Sequence, residues 1–354
     1  MEKACDASRT PFRGMTLSSI RHFQDTSRIA ARQFPLCPTL FTPGTEPRRV
    51  QGNCMPKKHR SITPRLLDLF RRQARGTGTH QHYTGWQRIR RSDPPSHGRS
   101  HLHVFGSRQL DILSDLQLVC FYFAIQLPGV IDIREQYPLA LNTAPHELSA
   151  YDVRLHSTSC PGTIELAKTM RVRHPVSKEG VASEPNVITT NLLITFGPEH
   201  AQRRLLAVSC KSSAPRSSSA RLRLQAAYWR ERQVPWLLIT PAEFDSTLAL
   251  TLQRTAGWAL GTPASHAAMA VAAEVIQASA GHRSLTEILQ QIQHRHGVDM
   301  AQAQFALWQT LWRGQPPVDL RRGWRPHLPL RLMGRADWHD LNPVAARRSA
   351  WTSP

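Results

Sequence analysis

Over residues 1 to about 60 apolar side chains are scattered among Arg, Pro, Ser and Thr with no sustained period, which predicts a basic arm without a core of its own. From Leu110 the pattern changes. Ser114-Asp115-Leu116-Gln117 has the form of a capping box, and the apolar stretch Leu118 to Ile125 continues it as a buried helix. Pro128-Gly129 breaks that helix, and Val130 to Tyr137 alternates loosely as a strand. Val187 to Phe196 predicts a second strand, Gly197-Pro198-Glu199-His200 a turn, and Leu205 to Cys210 the partner strand. After a Ser-rich loop at 212–219, Arg221 to Gln233 predicts a basic helix with Leu224, Ala227 and Tyr228 on one side. Trp236-Leu237-Leu238-Ile239 then reads as a buried strand, and Thr240-Pro241-Ala242-Glu243 as the cap of a further helix.

Beyond Gly261 the run Ala267 to Ile276 predicts a helix, Ser284-Leu285-Thr286-Glu287 caps a second, and Asp299 opens a third carrying Phe305, Leu307, Trp308 and Leu311. Pro317-Val318-Asp319-Leu320 after three short helices predicts a winged-helix or helix-turn-helix unit. Periodicity alone fits a small bundle that binds nothing equally well. The implied organisation is a basic arm over 1–75, a mixed α/β domain over 76–260, a small helical domain over 261–325 and an Arg- and Trp-rich tail over 326–354. Met55-Pro56-Lys57-Lys58 is a second candidate for the start of translation.

Charge adds a partner class to this outline. Lys and Arg outnumber Asp and Glu by 45 to 25, a net charge of +20 that favours a polyanion such as DNA. No apolar run reaches membrane-spanning length, so the reading is a soluble, cytoplasmic chain with no membrane partner. The six cysteines are widely spaced without a C-x-x-C pair, which predicts reduced thiols and no zinc site. Arg221, Arg223, Arg230 and Arg232 gather near one helix, and Arg321, Arg322, Arg325 and Arg331 follow the predicted wing. Both groups are candidate phosphate contacts, with a solvated face as the alternative for each.

Several motifs between Tyr83 and Thr240 occur together in one nuclease family. They are Trp86, Ser96, Gly98-Arg99-Ser100-His101, Leu113-Ser114-Asp115-Leu116, Asp132-Ile133-Arg134-Glu135-Gln136-Tyr137-Pro138-Leu139, His174-Pro175, Thr190, Lys211, Tyr228-Trp229 and Gln233-Val234-Pro235-Trp236. On these the chain resembles the TnsA endonuclease family, whose members cut the 5′ strands within a heteromeric transposase. The resemblance implies a restriction-endonuclease-like core of the PD-(D/E)xK type, followed by a small helical, winged-helix-like domain. It also implies transposon-end DNA, a TnsB-like transposase and a TnsC-like ATPase regulator as partners, with Mg²⁺ as cofactor.

The family's catalytic positions fall on Gln117, Asn191, Ser209 and Lys211. Gln117 and Asn191, the two metal-ligand positions, carry amides where the family keeps a glutamate and an aspartate. Mg²⁺ is a hard ion that needs anionic oxygens. Removing one unit charge about 4 Å from a dication forfeits on the order of several kcal/mol at an effective dielectric near 20. Each residue also has a plainer reading: Gln117 as a helix-capping side chain, Asn191 as a residue at a strand edge or bulge, Lys211 as a solvated lysine. Asp115 lies about 160° around the helix from Gln117 and cannot share its pocket. Asp132 and Glu135 belong to the family pattern without being its primary ligands, and Glu184 is a further carboxylate on a loop. Three functions follow in order: a DNA-binding transposase subunit that does not cut, an active nuclease with substitute ligands, and a DNA-binding regulator.

Overall fold

The computed structural model describes residues 62–90, 99–197, 203–213 and 219–352, which belong to one compact unit, Lys58–Pro354. The arm as far as residue 61, the start at Met55, Ser96, Gly98, most of the turn at 197–200 and most of the Ser-rich loop lie outside the described residues.

The architecture is mixed α/β. Its elements are α1 (Pro64–Arg72), β1 (His101–Phe105), β2 (Arg108–Ile112), α2 (Asp115–Ile125), β3 (Val130–Pro138), β4 (Ala144–Pro145), β5 (Ser159–Cys160) and α3 (Thr163–Thr169). There follow β6 (Val176–Glu179), β7 (Ala182–Pro185), β8 (Thr189–Phe196), β9 (Arg204–Cys210), α4 (Ala220–Glu231) and β10 (Trp236–Ile239). Four helices, α5 (Ser246–Ala259), α6 (His266–Ser279), α7 (Leu285–His296) and α8 (Met300–Trp312), precede a last short one, α9 (Arg335–Leu341).

The central sheet has the order β10-β9-β8-β3. β3, β8 and β9 are antiparallel neighbours, and β10 returns parallel to β9 after the α4 crossover. Ile133, Leu192, Ile194, Leu206 and Val208 share a core with Leu118 and Phe121 of α2. Leu193, Leu205 and Ala207 share a second core with Leu224, Ala227, Tyr228 and Trp229 of α4. A sheet covered on both faces explains why these strands read as nearly continuous apolar runs.

At four points the structure departs from the outline drawn from the sequence. The arm does not reach residue 75: Thr63 accepts a hydrogen bond from Leu66 N at 3.4 Å, Pro64 opens α1, and Leu67 and Phe70 are wholly buried. Phe70 meets Trp86 edge-on at 5.4 Å, so the helix is held by a tertiary contact that its two turns of sequence do not reveal. Thr240 caps only a single 3₁₀ turn, while the long helix α5 begins later and is capped by Asp245, which accepts from Thr247 N and Leu248 N. The expected boundary at 260/261 falls inside one apolar cluster that joins Leu118 and Phe121 to Leu252, Ala303, Leu311 and Trp312. Trp312 seals it, donating to Thr255 Oγ1 at 3.0 Å and meeting the Tyr122 ring edge-on. Arg232, finally, is inside the protein rather than on a basic face.

The hairpin β1–β2 has no signal in the apolar pattern, because its alternation is inverted: Leu102 and Val104 are exposed while His101, His103 and Phe105 are half-buried. The capping box at Ser284 does form, with Glu287 N donating to Ser284 Oγ at 3.3 Å and Ser284 N to Glu287 Oε2 at 2.7 Å. Asp299 caps α8 through Gln302 N at 2.7 Å. After α8 a short antiparallel ribbon is formed by the isolated bridge between Val318 and Leu332, and a second bridge pairs Pro329 with Ser284 just before α7.

The tail after 326 is mostly at the surface but is anchored to the core where Asn342, Pro343 and Val344 are buried. Asn342 donates from Nδ2 to Phe123 O at 2.8 Å, at the end of α2, and Val344 is wholly buried. Ser349 and Ala350 then take up both backbone groups of Leu238: Leu238 N donates to Ser349 Oγ at 3.0 Å, and Ala350 N to Leu238 O at 2.8 Å. Trp351 packs on Trp236. The tail thereby covers the edge of the sheet at β10, where open backbone groups would otherwise invite another strand. Among the described residues no helix is long and apolar enough to cross a membrane.

Arg232 sits at the end of α4. Its Nε donates to Glu147 Oε1 at 2.8 Å, its Nη1 to Pro161 O at 2.9 Å, and its guanidinium stacks on the Tyr228 ring. Tyr228 donates its hydroxyl to the same Glu147 oxygen. Both charged side chains are buried, so removing one partner strands the other in a low-dielectric setting. Arg232→Ala is expected to lower unfolding free energy by about 3–5 kcal/mol, read from denaturant midpoints at unchanged slope.

Candidate functional site

The first turn of α2 meets the ends of β3, β8 and β9, and this junction gathers the positions singled out in the sequence. Ser114 caps the helix by accepting from Gln117 N at 3.2 Å, so the capping signal is satisfied by Gln117's backbone. Its side chain is thereby left for another role, and it is wholly buried. Gln117 Oε1 accepts two hydrogen bonds, from Leu113 N at 2.9 Å and from Gln136 Nε2 at 3.0 Å. Gln117 Nε2 donates to the backbone carbonyl of Asn191 at 3.2 Å. One amide thus ties the helix to two strands, using its donor and its acceptor at once.

Gln136 reaches this junction because its backbone is left-handed, with φ of 47°, inside β3. It lies opposite Asn191, between the pairs Glu135–Leu192 and Tyr137–Thr190. On β8, Thr190 Oγ1 accepts from Trp229 Nε1 of α4 at 2.9 Å and Leu193 belongs to the α4-side core; strict alternation would forbid this for residues three apart, so the strand changes face between them. Asn191 stands at that change of face. It begins where the β8–β9 ladder stops, and its Oδ1 accepts from Cys210 N at 2.8 Å in place of a ladder partner. The plainer reading of Asn191 as a bulge residue therefore describes its backbone, while its amide is committed to β9.

Ser209 is buried and turned toward α4, donating to Gln225 Oε1 at 2.9 Å and accepting from Trp236 Nε1 at 3.0 Å. Gln225 in turn donates to Thr189 O at 2.8 Å. Lys211 follows at the end of β9, its backbone N bonded to Ile239 O at 3.0 Å and its side chain exposed. Although much of that side chain meets water, its ammonium is held below the usual lysine pKa, first by partial desolvation and then by Arg221. Cys210 faces the other way, toward Cys120 of α2, whose thiol is pushed well up by a hydrogen bond to Cys210 and by burial.

The remaining carboxylates are committed elsewhere. Asp115 points outward to His101 Nε2 at 2.6 Å, as the helical angle requires. Asp132 accepts from His80 N at 2.8 Å and from the Tyr151 hydroxyl at 2.6 Å. Glu184 lies on β7 and pairs with Arg71 of α1 at 3.2 Å. Among the described residues no three His, Cys, Asp or Glu side chains gather as a metal ion requires. The donor set at the junction does not fit Mg²⁺: Gln117 presents N–H to the Asn191 carbonyl, and both amide oxygens already face N–H donors.

Of the arginines proposed for DNA, Arg221 and Arg230 on α4 are exposed, Arg223 is half-buried and Arg232 is internal. Arg321 and Arg322 are exposed in the connection between the paired positions 318 and 332, with Arg321 held by both oxygens of Asp319 at 2.9 and 3.0 Å. Sequence reasoning missed Gln136 and Gln225. A glutamine inside each of two apolar-rich elements was the available signal, since a buried amide needs partners.

No family model matches this chain. The comparison with curated proteins finds a transposition protein, and the similarity is distant. The chain is 27% identical over 180 residues to the transposon Tn7 transposition protein TnsA of Escherichia coli, an alignment covering 49% of this chain and 56% of that protein. The chain spans about half the length of the curated relative it matches. The relationship is TnsA-like.

Two outcomes follow from the junction. In Gln117→Glu a carboxylate oxygen meets the Asn191 carbonyl in place of an N–H, and a loss of about 1–3 kcal/mol in unfolding free energy is expected in EDTA, measured by denaturant titration. Beside the junction, Glu135 is buried against Arg108 Nη1 at 2.6 Å, and burial outweighs that cation, pushing its carboxyl up to about 7. A glutamate raised from about 4.3 when unfolded contributes stability that is complete below the unfolded value and is lost as pH rises through the folded one. Unfolding free energy should therefore fall between about pH 4 and pH 8, and Glu135→Gln should flatten that fall in the same titration.

Proposed function

We propose that this chain is a TnsA-like subunit of a transposon transposase, binding transposon-end DNA beside a TnsB-like transposase and a TnsC-like ATPase regulator, with its own 5′-strand endonuclease centre silent. One observation carries the reading. Gln117, at the position where the family keeps a metal-binding glutamate, spends its amide on fastening α2 to β3 and β8. A two-sided hydrogen bond of that kind cannot coexist with a cation between the same groups. Asn191, the second such position, likewise turns its only anion-like oxygen onto Cys210 N. Lys211 keeps its place beside them without a carboxylate to work with.

A restriction-endonuclease-like core is supported by the sheet order, by α2 leading into β3 and by the α4 crossover between β9 and β10. A winged-helix-like C-terminal part is supported by the sequence α6, a bridge at Ser284, α7, α8 and the ribbon joining 318 to 332. Its exposed Arg322, Arg325 and Arg331 and the chain's charge of +20 suit a polyanion. With the 5′ strands uncut, breakage at the 3′ ends alone leaves the donor attached, and joined replicons replace clean excision.

The test is cleavage by the reconstituted complex in Mg²⁺ or Mn²⁺. The native chain should leave the 5′ ends intact, and the double change Gln117→Glu with Asn191→Asp should create nicking that Lys211→Ala abolishes. Clear 5′ nicking by the native chain overturns the proposal in favour of an active nuclease with other ligands.

A further inference from the structure

We propose that Lys211 and Arg221 form a clasp for a backbone phosphate of DNA that needs no metal ion. The proposal rests on the reading above, that DNA is held at this junction and not cut. It gives the cation's electrostatic task to two side chains of the protein.

Three observations bring the pair together. Lys211 directly follows β9, one residue beyond Cys210, whose N–H is held by Asn191. Arg221, in the first turn of α4, approaches Thr189 Oγ1 at 3.5 Å from Nη2, two residues before Asn191 on β8. Gln225, one turn further along α4, ties that helix to both strands through Ser209 Oγ and Thr189 O. The two cations are thus carried on elements fixed to one another by hydrogen bonds, and Arg221 lowers the Lys211 pKa, a repulsion felt by neighbours.

Like charges gathered this way call for an anion. Arg71, Arg72, Arg154 and Arg321 each have a carboxylate within 3.2 Å or less. Among the described residues neither Lys211 nor Arg221 forms an ion pair, and each keeps part of its side chain at the surface while desolvation holds both cations below their usual pKa. The family's aspartate would supply the missing negative charge, and Asn191 does not. A phosphodiester fits the vacancy in charge: it offers one negative charge and two acceptor oxygens, to which Arg can donate in a fork and Lys as a point charge.

The experiment measures binding of the full-length chain to a short fluorescent duplex over a salt series in EDTA. The native chain should bind without divalent ions. Lys211→Met and Arg221→Met, each checked for native unfolding behaviour, should each reduce the slope of log K against log salt by about 0.9, the value for one phosphate contact. Lys211→Arg should keep the native slope. Asn191→Asp, which adds a carboxylate where β8 meets the end of β9, should lower affinity in EDTA. Unchanged slopes in both Met variants, or loss of native binding on chelation, overturn the clasp. Cleavage by the native chain would defeat the silent-centre reading while leaving the EDTA slopes as they stand, so the two failures are distinguishable.

Discussion

A single primary amide fastens the first turn of α2 to two strands of the sheet. Gln117 accepts from Leu113 and Gln136 and donates to Asn191, and it does so wholly out of water. In such a setting an unmade hydrogen bond costs far more than a made one contributes, so the junction holds only while donor and acceptor are both matched. The left-handed backbone of Gln136 and the change of face at Asn191 are departures from regular β structure that this matching accommodates. The electrostatics of the neighbouring Lys211 and Arg221 follow as well, because an amide lattice leaves them no negative charge to answer.

The rest of the unit is built so that the junction does not open. α2 is enclosed by the sheet, by the hairpin β1–β2 and by the C-terminal helices through one apolar core, with Trp312 and Tyr122 at its seam. The tail returns to bind Phe123 at the end of α2 and Leu238 on the sheet edge. On the opposite face, the buried Glu147–Arg232 pair locks the end of α4 against the segment before β5. Precision at the junction thus depends on elements far along the chain, whose packing holds the rotamers of its side chains.

The corrections share a cause. Arg232 was grouped with Arg221, Arg223 and Arg230 by composition, yet it lies just past the last turn of α4, where it turns inward to Glu147, 85 positions away. α1 falls within the expected arm because two helical turns with four apolar residues are weak evidence until Trp86 and Val187 are known to cover them. The expected break at 260/261 follows a real loop, but loops do not report whether the cores on either side are separate.

Local rules sufficed where the forces are local. The helix at 115, the hairpin strands around 192 and 208, the helix α4, the N-cap at Ser114 and the capping box at Ser284 were legible because capping and hydrophobic period act over a few residues. Gln117, Asn191 and Lys211 were also legible as positions, each with more than one meaning. Tertiary structure decided the meaning: Gln117's capping is done by its backbone, which leaves its side chain to bridge strands 19 and 74 positions away. It also decided that the tail closes the sheet edge and that Gln136 and Gln225 complete the junction. Those outcomes depend on hydrogen bonds between elements that only packing brings within reach, and no periodicity along the chain encodes them.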